Sequence, residues 1–263
     1  MSMKYRTILT TLTKGLLPET QAIIDRAVLE GFTLPSASKI RAINSLIGRM
    51  IIDGWWVKRD LILNFTYNDL NCENFSRINW KNPTGNLATF GVGHNYLLTG
   101  SQGGGIDTSF VNTQFNPTIH GITYTLNDAS REAIIYAQVA NAMIDGNVSF
   151  NETIRVSTSQ PSRINSGNSS GGFDYFSVTD GYKAIHRTAS DLVTGISKAT
   201  SSTLATLSTA ISNGNQTIHR GSFLNGTNTV SLYSMGASTI VEGQLLRTAY
   251  NTYLTKIGLI PIA

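Results

Sequence analysis

Four histidines, His94, His120, His186 and His219, are the side chains best suited to acid–base work or metal ligation near neutral pH. They are scattered, with no paired-ligand spacing such as His-Glu-Xaa-Xaa-His. Each reads as a turn or strand residue rather than a ligand. Hydrolysis of a glycosidic bond would need two carboxylates facing each other across a cleft. Acids are sparse after Asp60, and no close Glu/Asp set falls on one strand face, so the chain reads as non-enzymatic. Asp107, Asp128, Asp145, Asp174 and Asp180 sit near turn signals and carry the oxygen chemistry that calcium takes. None falls in a recognisable calcium loop, so they read as turn residues, and no metal or cofactor is expected. One stretch has the make-up of a sugar site: "NSGNSSGGFDYFS" at residues 165–177, where Asp174, Tyr175 and Phe176 follow Gly/Ser flanks. A polar acceptor beside aromatic faces suits a polyhydroxyl ligand. A loop entering a strand whose aromatics alternate in and out is the competing reading.

The elements that must position these residues are legible in the composition. The 263 residues are 41% hydrophobic and only 14% charged, against roughly 25% charged in an ordinary globular protein. Gly, Asn, Ser and Thr are abundant, which suits strands with Thr on a wet face and turns built from Gly and Asn. The net charge of +4 lies wholly in residues 1–60, which hold nine Lys/Arg against five Asp/Glu, spread along helical segments with acids between them. Nucleic-acid modules cluster Lys and Arg on one face, so no nucleic-acid partner is expected. Cys72 is alone, which excludes an intrachain disulfide. The first twenty residues have no secretory apolar stretch, and no apolar run reaches membrane-span length. Synthesis in a reducing cytoplasm and no membrane partner are the expectations.

Along the chain, residues 1–17 form an arm whose apolar members Met3, Tyr5, Ile8, Leu9 and Leu12 leave helix and strand open and are candidates for docking on a partner. Pro18, Glu19 and Thr20 open a helix that Gly31 ends; a second starts near Ser36, carries Ile40, Ile43, Leu46, Ile47, Met50 and Ile51, and closes at Asp53-Gly54. This hairpin, residues 18–56, is too small to hide its apolar face and must pack on something. Beyond Trp56 the period changes to two. "KRDLILNFTYND" sets Leu61, Leu63, Phe65 and Tyr67 opposite Ile62, Asn64 and Thr66. Short runs with strand character, "GITYTLN" and "STLATLSTAISNG" among them, then recur between Gly, Asn and Pro breaks, as in a sandwich or jelly roll. The end is helical again, with Leu245, Leu246, Ala249, Tyr253, Leu254 and Ile257 on one face before Gly258, and "LIPIA" as an apolar tail. The division is therefore arm 1–17, hairpin 18–56, β domain 57–241, and helix with tail 242–263.

The ordered set "IIDGWWVKRDLILNF", "NFSRINWKNP", "TSFVNTQFNP", "GITYTLNDAS", "VTGISKATSST" and "MGA…YNTYLTKIG" resembles the LamG-like, concanavalin-type jelly-roll module of virion and tail-associated proteins of bacteriophages that infect Bacteroidetes. The likeness covers residues 34–258. Its most specific piece is "NFSRINWKNP" (74–83), with Phe75, Ile78, Asn79, Trp80, Lys81 and Pro83 matching the family's pattern. "QGGGI" (102–106) departs from the family's Gly-rich link, and the first 17 residues have no counterpart. The resemblance implies a mainly β, two-sheet jelly roll, preceded by the helical hairpin and closed by the C-terminal helix. It implies a virion structural protein: a head decoration or fibre, or a tail or collar appendage. Such a protein would be attached through its arm and helices to capsid, portal or tail proteins and would assemble as a homo-oligomer, a trimer if a fibre. A carbohydrate-binding module for host surface glycan is the alternative. Read physically, Trp80 is a core anchor near a sheet edge, Asn79 and Asn82 bond local backbone where a strand ends, and Pro83 stops the pairing.

Overall fold

The structure, a computed structural model, describes residues 15–106, 108–137, 142–146, 154–156, 162–166, 180–198, 200–220 and 227–262. The arm residues Met3, Tyr5, Ile8, Leu9 and Leu12 and the stretch with Asp174, Tyr175 and Phe176 lie outside the described residues.

Helix α1 (Pro18–Leu29) begins at its proline, whose absent N–H would have had no partner in the first turn anyway. It ends in a Schellman turn: Phe32 N–H donates to Ala27 O at 2.8 Å across Gly31, which holds φ +70°. Helix α2 (Ala37–Ile52) follows and closes at Asp53-Gly54, with Gly54 at φ +75°. Helix α3 (Ile240–Lys256) is near the C-terminus.

Between them run the strands: β1 (Arg59–Asn64), β2 (Thr89–Phe90), β3 (Asn95–Leu97), β4 (Gly100–Gln102), β5 (Val111–Asn112), β6 (Ala129–Ala137), β7 (Ala142–Met143), β8 (Asp145–Gly146), β9 (Arg155–Val156), β10 (Gly181–Ala189), β11 (Leu192–Ser197), β12 (Thr200–Ala205), β13 (Thr217–Ile218) and β14 (Thr229–Gly236). The large antiparallel sheet runs β12-β11-β10-β6-β14-β4-β3. One edge of β14 is shared: Thr229 and Val230 pair with β4, and Leu232 to Gly236 pair with β1. A smaller antiparallel sheet runs β2-β5-β13-β8, and β7 pairs with β9.

These elements stack in three layers. Leu61, Leu63 and Phe65 of the β1 segment join Tyr233 and Met235 of β14 and meet Val111 and Ile218 of the small sheet, forming the core of a β-sandwich. Ile62 of β1, Tyr182 of β10 and Leu232 of β14 point the other way and meet the helices through Ile43, Ile47, Leu246 and Tyr250. The centre of the large sheet is thus covered on both faces, so β1 and β14 are buried along their whole length rather than alternately wet, whereas the edge strand β12 is exposed. The fold is mainly β, two antiparallel sheets in a sandwich, with a helical layer on one side. The hairpin's apolar face is covered within the chain by α3 and the large sheet.

Several local expectations are corrected. "NFSRINWKNP" contains no strand: residues Phe75–Arg77 form a 3-10 turn, and the rest is loop. "GITYTLN" is also a loop, because Asp60 takes the backbone N–H groups of Ile122, Thr123 and Tyr124 that a ladder would need. "STLATLSTAISNG" starts as β12 but continues irregularly to β13. Tyr67 leaves the face of Leu61, Leu63 and Phe65 and packs edge-on against Phe75, 5.1 Å away, on the helical side. On α3, Leu245 is 40% exposed and the buried face runs instead through Gly243, Leu246 and Tyr250. The reason is at Gly243, where a Cβ would come within 2.2 Å of the Tyr182 hydroxyl: the helix lies directly on the sheet there. In the tail, Ile262 is buried and Ile260 is exposed.

Candidate functional site

The decamer's apolar members anchor it. Phe75, Ile78 and Trp80 are all fully buried in the helix-side core. Its polar members do something else. Trp80 N–H donates to Ile62 O at 2.9 Å, and Ile62 N–H donates to Asn79 Oδ1 at 3.0 Å. Asn79 Nδ2 donates to Asp60 O, and Asn79 Oδ1 also accepts from Lys81 N–H. Asn79 and Trp80 therefore occupy the edge of β1 that β14 leaves free, which protects it from pairing with another chain. Asn79 bonds local backbone at Lys81 N–H and also reaches across 17 residues to β1, and Pro83 lies in a turn with no ladder to stop.

This loop is one wall of a cleft of about 340 Å³ at the sandwich rim. Lys81, Asn82 and Asn86 stand on that wall, Gln114, His120 and Ile122 on the opposite one, and Asp60 on the floor. Each position has a local cause. Lys81 Nζ donates to Trp56 O at 3.0 Å and lies 5.0 Å from the Trp56 ring centre; burial lowers its pKa. Gly85 lets the Asn82 amide lie close to the backbone, since a Cβ there would stand 2.7 Å from it. On the other wall, Asn116 Oδ1 accepts from Thr118 N–H and caps the single helical turn Pro117–His120. Asn116 N–H donates to His120 Nδ1 at 2.9 Å, which places the imidazole proton on Nε2. His120 is exposed, and Ile122 beside it is 87% exposed.

Asp60 is the carboxylate of this cleft, and it is fully engaged. Its oxygens accept from Ile122 N–H at 3.0 Å, Thr123 N–H at 3.0 Å and Tyr124 N–H at 2.8 Å, which hold the loop at residues 121–124 in place. Gly121 begins that loop because a Cβ would meet Pro117 O at 2.4 Å. Hydrogen-bonding capacity that the fold leaves unused sits higher on the walls: the Asn82 Nδ2 amide, the Asn86 side chain and the His120 Nε2–H. Asn82 and Asn86 are exposed. Amide and imidazole donors and acceptors around an aliphatic ledge can hold a neutral, hydroxyl-rich ligand through paired hydrogen bonds.

Two other polar groupings are internal. Glu132 is completely buried and accepts from Arg59 Nη1 at 2.9 Å, Trp55 Nε1 at 2.9 Å, and the Thr239 hydroxyl. Burial alone would raise its pKa; Arg59, His186, Thr239 and Trp55 outweigh that and hold it below the usual carboxylate range. His94 and His219, scattered in sequence, meet across Ser101: Oγ lies 2.8 Å from His94 Nε2 and 2.9 Å from His219 Nε2. Burial pushes them down to about 4 and about 3, so both are neutral. Among the described residues no cluster of His, Cys, Asp and Glu could hold a metal. Asp128 accepts from Ser238 N–H, Asp145 meets Arg131 and Tyr233, and Asp180 meets Lys198. These three turn aspartates therefore do not converge, and Asp107 and Asp174 lie outside the described residues.

Reading the sequence alone treated the decamer as structural and missed the cleft its Lys81 and Asn82 help to build. The usable signal was polar residues interleaved with three core anchors, but the opposite wall is some thirty residues on and carries no matching motif.

No known protein-family profile matches the chain, and no curated protein does. Among solved structures, the chain is similar to domain 4 of AbnA, a GH43 extracellular arabinanase from Geobacillus stearothermophilus, in complex with arabinotriose; identity is 14%, 73% of this chain and 98% of that one are covered, and the TM-score is 0.43. It is also similar to the Trypanosoma rangeli sialidase in complex with 2,3-difluorosialic acid, at 8% identity over 79% of this chain and a TM-score of 0.33. The chain spans 38% of that sialidase.

Proposed function

We propose that this chain is a non-catalytic carbohydrate-binding module whose cleft beside Asp60 takes a polyhydroxylated ligand. The observation that carries the reading is the pairing of unused polar groups on Asn82, Asn86 and His120 with the ledge of Ile122, around a floor that is already satisfied. Asp60 argues against hydrolysis, because three backbone N–H groups occupy its oxygens and the cleft offers no second carboxylate among the described residues. The virion setting implied by the phage-module resemblance accommodates this role. The sandwich would be the displayed part of a head or tail appendage meeting host surface glycan, and a homo-oligomer, trimeric in a fibre, belongs to that same setting.

The experiment is a glycan array with calorimetry on the hits, comparing wild type with Asn86→Ala/His120→Ala and with Asp174→Ala/Tyr175→Ala. The cleft variant loses at least tenfold in affinity while the second retains it. Retention by the cleft variant and loss by the second moves the site to residues 165–177. Absence of any glycan hit overturns the reading.

A further inference from the structure

The helical layer carries a second concavity, a groove of about 320 Å³ between α2 and α3 that shares no lining residue with the cleft. The two helices run antiparallel across it. Lys256 at the end of α3 donates to Ser45 Oγ at the middle of α2 at 2.7 Å, and Lys39 near the start of α2 donates to Asn68 O while Asn68 Nδ2 donates to Ile257 O, just past the end of α3. The floor is apolar, from Ala42 and Leu46 on one helix and Ala249 and Tyr253 on the other.

Helical spacing extends the walls beyond the groove itself. On α2 the row Arg41, Ser45, Arg49 continues to Ile52; on α3 the row Thr252, Thr248, Leu245 continues back to Val241. Ile52 is 77% exposed, Val241 73% and Leu245 40%, so one end of the groove presents three aliphatic side chains to solvent. The charge along the groove is of one sign. Arg41 and Lys256 stand towards the other end, Arg247 is on the adjoining shelf midway along α3, and Arg49 lines the groove one turn before Ile52. Arg49 is neutralised by Asp53 at 2.8 Å, whereas Arg41, Arg247 and Lys256 have no ion-pair partner among the described residues. No carboxylate lines the groove or its shelf.

We infer that this groove docks an acidic amphipathic helix of another protein, its apolar side chains seated at Ile52, Val241 and Leu245 and its carboxylates facing Arg41, Arg247 and Lys256. Charge selects this occupant over two nearer ones. The chain's own residues 1–14, which enter the structure just before Leu17 N–H bonds Asn44 of α2 at 2.7 Å, contain Lys4, Arg6 and Lys14 and no acid. A second copy packed groove to groove would oppose the same three cations. Two helices flanking an apolar floor also suit a third helix laid between them. The inference is independent of the glycan reading.

The test uses the full chain and two synthetic fourteen-residue helical peptides. One has leucines at i, i+4 and i+7 flanked by glutamates; its twin has lysine at every glutamate. By fluorescence anisotropy the acidic peptide binds saturably, with affinity falling as salt rises, and its twin binds at least tenfold more weakly. Arg247→Glu/Lys256→Glu reverses that preference while the chain keeps a cooperative thermal transition. Equal binding of the two peptides, or binding of neither, overturns the inference. So does a dimer in sedimentation equilibrium that Arg247→Glu/Lys256→Glu dissolves, which assigns the groove to a second copy. Cosedimentation with phosphatidylglycerol vesicles without preference for the acidic peptide assigns it to a membrane surface instead.

Discussion

Replacing Glu132 by Gln isolates the buried pair at the junction of the helical layer and the sandwich. Glu132 on β6 and Arg59 at the start of β1 are both without solvent exposure, and their side chains also meet Trp55 after α2 and Thr239 before α3. Arg59 Nη1 lies 2.7 Å from Ser130 Oγ, and Nη2 donates to Ala237 O. The amide of Gln keeps the shape and one acceptor but removes the counter-charge, leaving a guanidinium in the core. Breaking such a pair from one side costs about 3–5 kcal/mol. At about 2–4 °C per kcal/mol for a chain of this size, the thermal midpoint should fall by roughly 10 °C. Arg59→Met alone strands the carboxylate and should cost a similar amount. The double variant Arg59→Met/Glu132→Gln carries no buried charge and keeps an acceptor for Trp55, so it should be more stable than the sum of the singles by at least about 2 kcal/mol. Calorimetry and urea unfolding followed by tryptophan emission report these values. A loss under 1 kcal/mol for Glu132→Gln, or simple additivity in the cycle, would refute the claim that this pair ties the layers together.

Trp80→Ala should cost about 3–5 kcal/mol, because it empties a fully buried site against β1, and urea midpoints will report it. A surface tryptophan would instead change stability by under about 0.5 kcal/mol. Acid should weaken the fold through its buried histidines. His186 and His219 are buried with pKa values pushed down to about 4 and about 3, below the 6.5 of an unperturbed histidine. Between those values the unfolded chain binds more protons, so stability is complete above pH 6.5 and declines towards pH 4, by up to about 1.4 kcal/mol per pH unit for each histidine. Urea midpoints between pH 7 and 4.5 measure the slope, which His219→Asn should reduce by about one proton. An unchanged midpoint across that window would contradict neutral burial.

Some of this was legible because its cause is local. Pro18 with Glu19 opens α1, and Gly31 and Gly54 end α1 and α2 in the left-handed region that glycine enters without a Cβ clash. Leu61, Leu63 and Phe65 declare their shared face by period two alone. Trp80 is the core anchor that its size and its neighbours predict, and Phe75 and Ile78, singled out only by the phage-module resemblance, are buried beside it. The loop at residues 121–127 was not legible, since its apolar alternation matches a strand and only a carboxylate sixty residues earlier removes its donors. Leu245 was placed on the wrong face of α3 for a related reason. Spacing defines a stripe, but the Tyr182 hydroxyl beneath Gly243 decides which way the helix is turned.

Read alone, the sequence determines a mainly β chain with helices at both ends, a neutral β portion and no intrachain disulfide, because propensity, period and residue counts are properties of neighbours along the chain. The tertiary structure decides that the centre of the large sheet is covered on both faces, that His94 and His219 meet at Ser101, and that Asn82 and Asn86 face His120 and Ile122 across a cleft. Those juxtapositions join residues some twenty to two hundred positions apart through packing and long-range hydrogen bonds. Their energy depends on distance in space, which no local pattern encodes.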